Sequence, residues 1–173
     1  GKIISVDGKP RARLYVNDPD QDTSLAAFVL MNPEVASDPK NQRKLEELVH
    51  YEQLMDVSGG MFPVDLDSEI MKQMAWIFEP YDSARASGTL TSFDANQITN
   101  TVLNISAKIA KHLSGESKEL SLDTGYDVLH RKGRFAVVQE HTAYSRTRMV
   151  RDGIKFFAAV RPGKDGTYIY SLG

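Results

Sequence analysis

Cysteine is absent from the chain, and tryptophan occurs once. The first absence excludes thiol nucleophiles, thiolate zinc centres and disulfide scaffolds, and it agrees with a reducing compartment. No apolar run approaches the roughly 20 residues that cross a bilayer. No signal-peptide pattern precedes the first predicted strand, so the expectation is a cytoplasmic protein with no membrane partner. Gly1 reads as a tag remnant or the edge of a cut domain. Excess charge is also lacking: a net charge of −2 and a pI near 6.1 argue against a nucleic-acid coat, while leaving room for a local basic patch. The four histidines are His50, His112, His130 and His141. No two sit four apart on a helix, which removes the zinc-protease pattern, and no nucleophile elbow, Walker loop or dinucleotide fingerprint appears.

What is present suffices for one ordinary domain: 173 residues, 41% hydrophobic and 25% charged, too apolar for disorder. Residues 2–6 and 11–16 are β-prone runs about Asp7-Gly8, a hairpin signal. Helices are predicted from Thr23 to Asn32-Pro33, from Asp38-Pro39 onward, and from Ser68 to a break at Glu79-Pro80. Residues 81–86 form a further turn. The longest helix, capped by Ser92 or Asp94, carries the stripe Ile98, Val102, Ile105, Ile109 and Leu113. Residues 55–57 read as a short strand. From Tyr126 the pattern changes to hairpins, 127–130 with 135–139 and 154–160 with 168–172, about a short helix at 147–151. The expected fold class is therefore α/β or α+β: a helix-rich body over 1–125, with antiparallel β-hairpins over 126–173 continuing it.

The stretch 14–31 organises the candidate chemistry. A strand runs into Asn17-Asp18-Pro19-Asp20-Gln21-Asp22, and an apolar helix follows. Three carboxylates at alternate positions repel one another unless a cation gathers them, and hard oxygen ligands suit Mg, Mn and Ca. Helix capping explains the same residues equally well, since Asp22-Thr23-Ser24 is a strong N-cap cluster. An EF-hand is excluded, because its sixth and twelfth positions require Gly and Glu and here hold Thr23 and Val29.

Asp56, before Ser58-Gly59-Gly60, stands where an open sheet places ligand-contacting acids, and the glycines permit close backbone approach to phosphate. The competing reading is a plain turn. Asp65 and Asp67 repeat the alternate spacing beside the Ser68 cap. Asp82 and Arg85 read as a salt-bridged surface with a weaker reading as a substrate contact. The basic cluster Ser145, Arg146 and Arg148 suits phosphate, because guanidinium forks match phosphate oxygens. A solvated helix face is the alternative. His141, after a predicted strand, is the best functional candidate of the histidines. His112, at a helix C-terminus, sits where a cation suits the dipole.

Two of these segments resemble the DHH phosphoesterase superfamily, the metal-dependent hydrolases that include RecJ-type nucleases, oligoribonucleases and cyclic dinucleotide phosphodiesterases. Its strand, spaced acids and apolar helix are similar to residues 16–31, and its lone strand-end Asp is similar to Asp56. The naming Asp-His-His triplet and the Gly-Gly-Gly-His motif are absent, so the resemblance is to a divergent or degenerate member. It implies that Asp18, Asp20, Asp22 and Asp56 hold manganese or magnesium, and that a metal-dependent phosphoester hydrolase-like domain binds a phosphate-containing small molecule, a nucleotide or a short nucleic acid. The alternative is a non-catalytic module whose C-terminal β-edge pairs with a protein partner.

Overall fold

A computed structural model describes residues 2–6, 9–14, 18–59, 61, 64–142, 144–163 and 166–173, the first two stretches as backbone only. Strands β1 (Lys2–Val6) and β2 (Lys9–Leu14) pair antiparallel, with a register irregularity at Ile4/Ser5. The expected Asp7-Gly8 turn, the strand end at 15–17 and the side-chain alternation of this hairpin lie outside the described residues.

Helix α1 (Gln21–Met31) starts two residues earlier than predicted, because Asp20 rather than Asp22 is its N-cap. The Asp20 carboxylate accepts from Thr23 N at 2.9 Å. Asn32 ends it, with both its backbone and side-chain nitrogens donating to Phe28 O at 2.9 Å. Pro33 then opens the short α2 (Pro33–Ser37), and Asp38 caps α3 (Pro39–Val57) with Pro39 in its first turn. Proline is tolerated there because that N–H has no helical partner.

Two expected breaks are absent. Residues 55–57 are the last turn of α3, not a strand, since the helical ladder runs on until Gly59 at φ +61°. Nor does Pro80 stop α4 (Glu69–Ala86). A proline inside a helix leaves the carbonyl four residues earlier without its donor. Here Lys108 Nζ donates to that carbonyl, Trp76 O, at 2.8 Å, and also meets Glu79 at 3.0 Å. A side chain from the neighbouring helix replaces the lost N–H. That helix is α5 (Ala95–Leu113), opened by a complete Asp94/Gln97 capping box.

Helices α1, α3, α4 and α5 close one core in which Phe28, Leu48, Met71, Met74, Ile77, Phe78, Ile105 and Ile109 are wholly buried. Burying such a side chain is worth about 1.5–3 kcal/mol over leaving it exposed. Val29 and Val49, next to the buried Phe28 and Leu48, face outward. His112 is buried, and burial together with Lys44 lowers its pKa, so it is not the dipole-paired cation anticipated. Lys44 does that work, donating to His112 O and Leu113 O at the helix end.

The C-terminal sheet is β3 (Tyr126–Lys132), β4 (Phe135–Glu140), β5 (Phe156–Pro162) and β6 (Tyr168–Leu172), in that spatial order. The two hairpins, β3–β4 and β5–β6, are antiparallel as expected. They join through a parallel β4–β5 pair, with α6 (Ser145–Arg151) in the crossover. The fold is thus a helix-rich α+β arrangement with a mixed sheet. Met149 of α6 packs with Ile154, Ala136, Val138, Phe157 and Ala159 in a second core cluster. Tyr144, just before α6, is buried in the helical core. This seats the start of the crossover against the helices. No helix among the described residues is long and apolar enough to cross a membrane.

Candidate functional site

The start of α1 and the end of α3 meet across a cleft of about 230 Å³, closed on its far side by α4 and α6. Its acidic wall carries Asp20, Asp22, Glu52 and Asp56. Asp20 and Asp22 sit at a helix N-terminus, where the dipole favours them. Glu52 and Asp56 are one turn apart at the C-terminal end of α3, where the dipole disfavours acid, and no basic residue occupies that last turn.

The protonation behaviour follows from this crowding. Glu52 is pushed up to about 8, first by burial and then by Asp22, Asp20, Asp82 and Asp56. Asp22 is raised by burial, Asp20 and Asp56. Beside the cleft, Asp82 on α4 is raised to about 7 by burial, against the opposing pull of Arg85. Residue Asp82 is only half-buried as a whole, but both carboxyl oxygens are shielded from solvent without a well-formed hydrogen bond among the described residues. It faces Tyr144, whose hydroxyl burial drives well above its ordinary value. Gln21 is 5% exposed and lines the cleft with its Oε1 unpartnered among the described residues, as is Glu52 Oε2. Unsatisfied buried oxygens of this kind are costly unless a ligand or ion completes them.

The opposite wall is basic. Glu140, the last residue of β4, is 6% exposed and receives two guanidinium groups. Arg146 Nε donates to its Oε2 at 3.0 Å, and Arg85 Nη2 to its Oε1 at 3.3 Å. Arg146 also donates to Gly59 O at 2.9 Å, and its guanidinium lies over the Phe157 ring at 5.5 Å. Both arginines line the cleft, so a buried carboxylate holds two cations across from the acidic wall.

Of the residues singled out from the sequence, the cleft gathers Asp20, Asp22, Asp56, Arg85 and Arg146. Asp18 is exposed and close enough to raise the Tyr81 hydroxyl, but it does not line the cleft. Asp56 stands on a helix turn, not at a strand end. Arg148 is exposed and paired with Asp152 at 3.2 Å. The Ser145 hydroxyl is buried, donating to Gly125 O and accepting from Thr142 N. His141 lies elsewhere, between Asp127 at 3.1 Å and Asp123 at 3.4 Å, with its pKa raised chiefly by the Asp127 hydrogen bond. Asp65 accepts from Asp67 N in the turn before Ser68, as a turn-forming residue would.

Glu52, Gln21 and Glu140 were not foreseen, and Arg85 was weighed mainly as surface. The missed signal was the Glu52/Asp56 spacing of four on an uninterrupted helix, which the strand assignment at 55–57 concealed. Among the described residues, no three acids or histidines close around a single ion as they stand. The donors are nonetheless chemically uniform: four carboxylates and one amide oxygen, the hard set that magnesium and manganese prefer. No protein-family model, curated protein or solved structure matches the chain.

Proposed function

We propose that the cleft binds a divalent cation together with a phosphate-bearing ligand, in the manner of a metal-dependent phosphoester hydrolase that has kept its binding chemistry and lost much of its catalytic set. The observation that carries this reading is the bipolar cleft, with Asp20, Asp22, Glu52 and Asp56 facing Arg85 and Arg146. The four acids and the Gln21 amide oxygen would hold the cation. When bound, it neutralises charge on the phosphate and lowers the pKa of a coordinated water. Arg85 and Arg146 orient phosphate oxygens, pre-set by Glu140. Without the cation, burial and the neighbouring acids keep Glu52 protonated near neutral pH, and cation binding would release that proton. A phosphate-containing small molecule, a nucleotide or a short nucleic acid fits this chemistry.

Two-metal hydrolysis requires ligands for two ions about 3.5–4 Å apart, and this cleft has no histidine to add to its carboxylates. The expected outcome is manganese binding by calorimetry, with weak or no nucleotide release from a short oligonucleotide or a cyclic dinucleotide. Robust turnover abolished in Asp56→Ala would restore the full enzyme. Absence of manganese binding would overturn the reading.

A second reading has its own observation. Strand β6 is an edge strand bearing Tyr168, Tyr170 and Leu172 at 58%, 67% and 85% exposure. An uncovered apolar edge is a template for strand pairing with a protein partner. If pairing is the function, Leu172→Lys abolishes partner capture and leaves manganese binding intact.

A further inference from the structure

Beyond the two arginines that line the cleft, a third stands behind them. Arg161 of β5 is half-buried, within electrostatic reach of Arg85, Glu140 and Arg146, and its Nε has no hydrogen-bond partner among the described residues. Its pKa is lowered by desolvation and then by Arg85, as expected of a cation held among like charges. Arg161 follows Val160, the parallel partner of Gln139, so the β4–β5 register sets it beside Glu140, and one buried carboxylate bonded to two guanidinium groups stands among three. Asp82, also near Arg85, has its carboxyl raised to about 7 by burial and offsets this excess only in part. Three guanidinium groups set against Glu140 and Asp82 leave a local surplus of between one and two positive charges at neutral pH, walled by Phe157 beneath Arg146. A phosphodiester carries one negative charge, whereas a terminal phosphate monoester carries between about 1.5 and 2 at pH 7.

We infer that the Arg85–Arg146–Arg161 cluster around Glu140 is a subsite for a terminal phosphate monoester, so that the ligand class is one ending in a phosphate group and not one offering internal diesters alone. This rests on the phosphate reading of the cleft. The four carboxylates opposite would repel any anion by themselves, so the dianion sits on the arginine side with the cation between it and the acids. Discrimination comes from charge number, because both ester classes present oxygens to the same forks.

The test uses the whole chain at pH 7 with manganese, methyl phosphate, largely a dianion there, and dimethyl phosphate as the monoanion, followed by NMR of arginine side-chain resonances. Methyl phosphate is expected to bind about tenfold more tightly, the scale of one added charge contact near a protein surface. Arg161→Gln, which removes charge without altering a cleft-lining residue, is expected to shrink that ratio toward unity while the manganese affinity stays unchanged. Equal binding of the two esters by the wild-type chain overturns the monoester subsite and leaves the phosphate cleft standing. Failure of both esters and of manganese overturns the cleft reading, and the subsite with it. Because the ratio is measured first on the wild-type chain, the result does not depend on how well the variant folds.

Discussion

Glu52→Gln isolates the most strained ionisation in the cleft. The folded-state carboxyl titrates near 8 where an ordinary glutamate titrates near 4.5. The folded state therefore keeps a proton that the unfolded chain gives up. Stability from this group is present in full below about 4.5, is lost as pH rises, and changes no further above about 8. Within that window each pH unit removes about 1.4 kcal/mol, which accumulates to about 3 kcal/mol by pH 7. Glutamine keeps the shape and one carbonyl oxygen but has nothing to ionise. Urea unfolding of both proteins from pH 5 to 9 gives the difference directly; groups that do not interact with Glu52 cancel in the subtraction, and the acids that act on it contribute through their coupling to it. The variant is expected to gain on the wild type as pH rises and to hold a constant lead above pH 8. A difference that moves by less than about 1 kcal/mol between pH 5 and 8 would refute the reasoning, because it would place Glu52 in contact with solvent or a hidden cation.

Asp20→Ala is expected to cost about 0.5–2 kcal/mol through loss of the Thr23 cap, while Asp20→Asn keeps the cap and weakens manganese binding; calorimetry and urea melts separate the two roles. Lys108→Met leaves Trp76 O without a donor and is expected to cost about 1–3 kcal/mol, much of it recovered when Pro80→Ala restores the backbone N–H; simple additivity in the double variant would contradict this account of the proline. For His141, NMR titration is expected to give a pKa above the ordinary 6.5 that falls back in Asp127→Asn. The pairing stabilises the fold below the ordinary value and is lost as pH rises through the raised one.

Helix limits were legible where the chemistry of the ends is local. Asp38-Pro39, Asn32-Pro33 and the Asp94/Gln97 box all act within a turn of where they stand. Pro80 was misread because its remedy, Lys108, lies 28 positions further along and only folding brings it to Trp76. Residues 55–57 were misread because a short apolar run beside two glycines has no period of its own. The parallel β4–β5 pair was illegible for a related reason: hairpin turns announce their antiparallel partners, whereas a crossover through α6 leaves no mark on the strands it joins. The acids of the cleft were largely visible because repulsion between neighbours in sequence is itself a signal. Glu140 was not, since a lone glutamate ending a strand looks like any other until two arginines are found on it.

The two walls of the cleft therefore differ in how they are made. The acids come from residues 20–56, set by the caps and turns of two helices close in sequence. The guanidinium groups of Arg85 and Arg146 are aligned by Glu140, with Arg161 within electrostatic reach, so the basic wall exists only when the end of β4 reaches α4. One bond ties the halves directly: Arg146 donates to Gly59 O at the turn that ends α3, 87 residues earlier. That turn needs the positive φ of Gly59 to stop the helix one residue past the Ser58 cap. The glycine that the sequence offered as room for a phosphate instead presents its carbonyl to the arginine. The separation of the basic side chains from the acidic ones is thus set by a side-chain bond to that backbone carbonyl, while the carboxylates remain crowded enough to hold Glu52 protonated near neutral pH. A cation entering the acidic wall would relieve that crowding and release the proton in one event, which makes cation affinity rise with pH up to about 8 and then level.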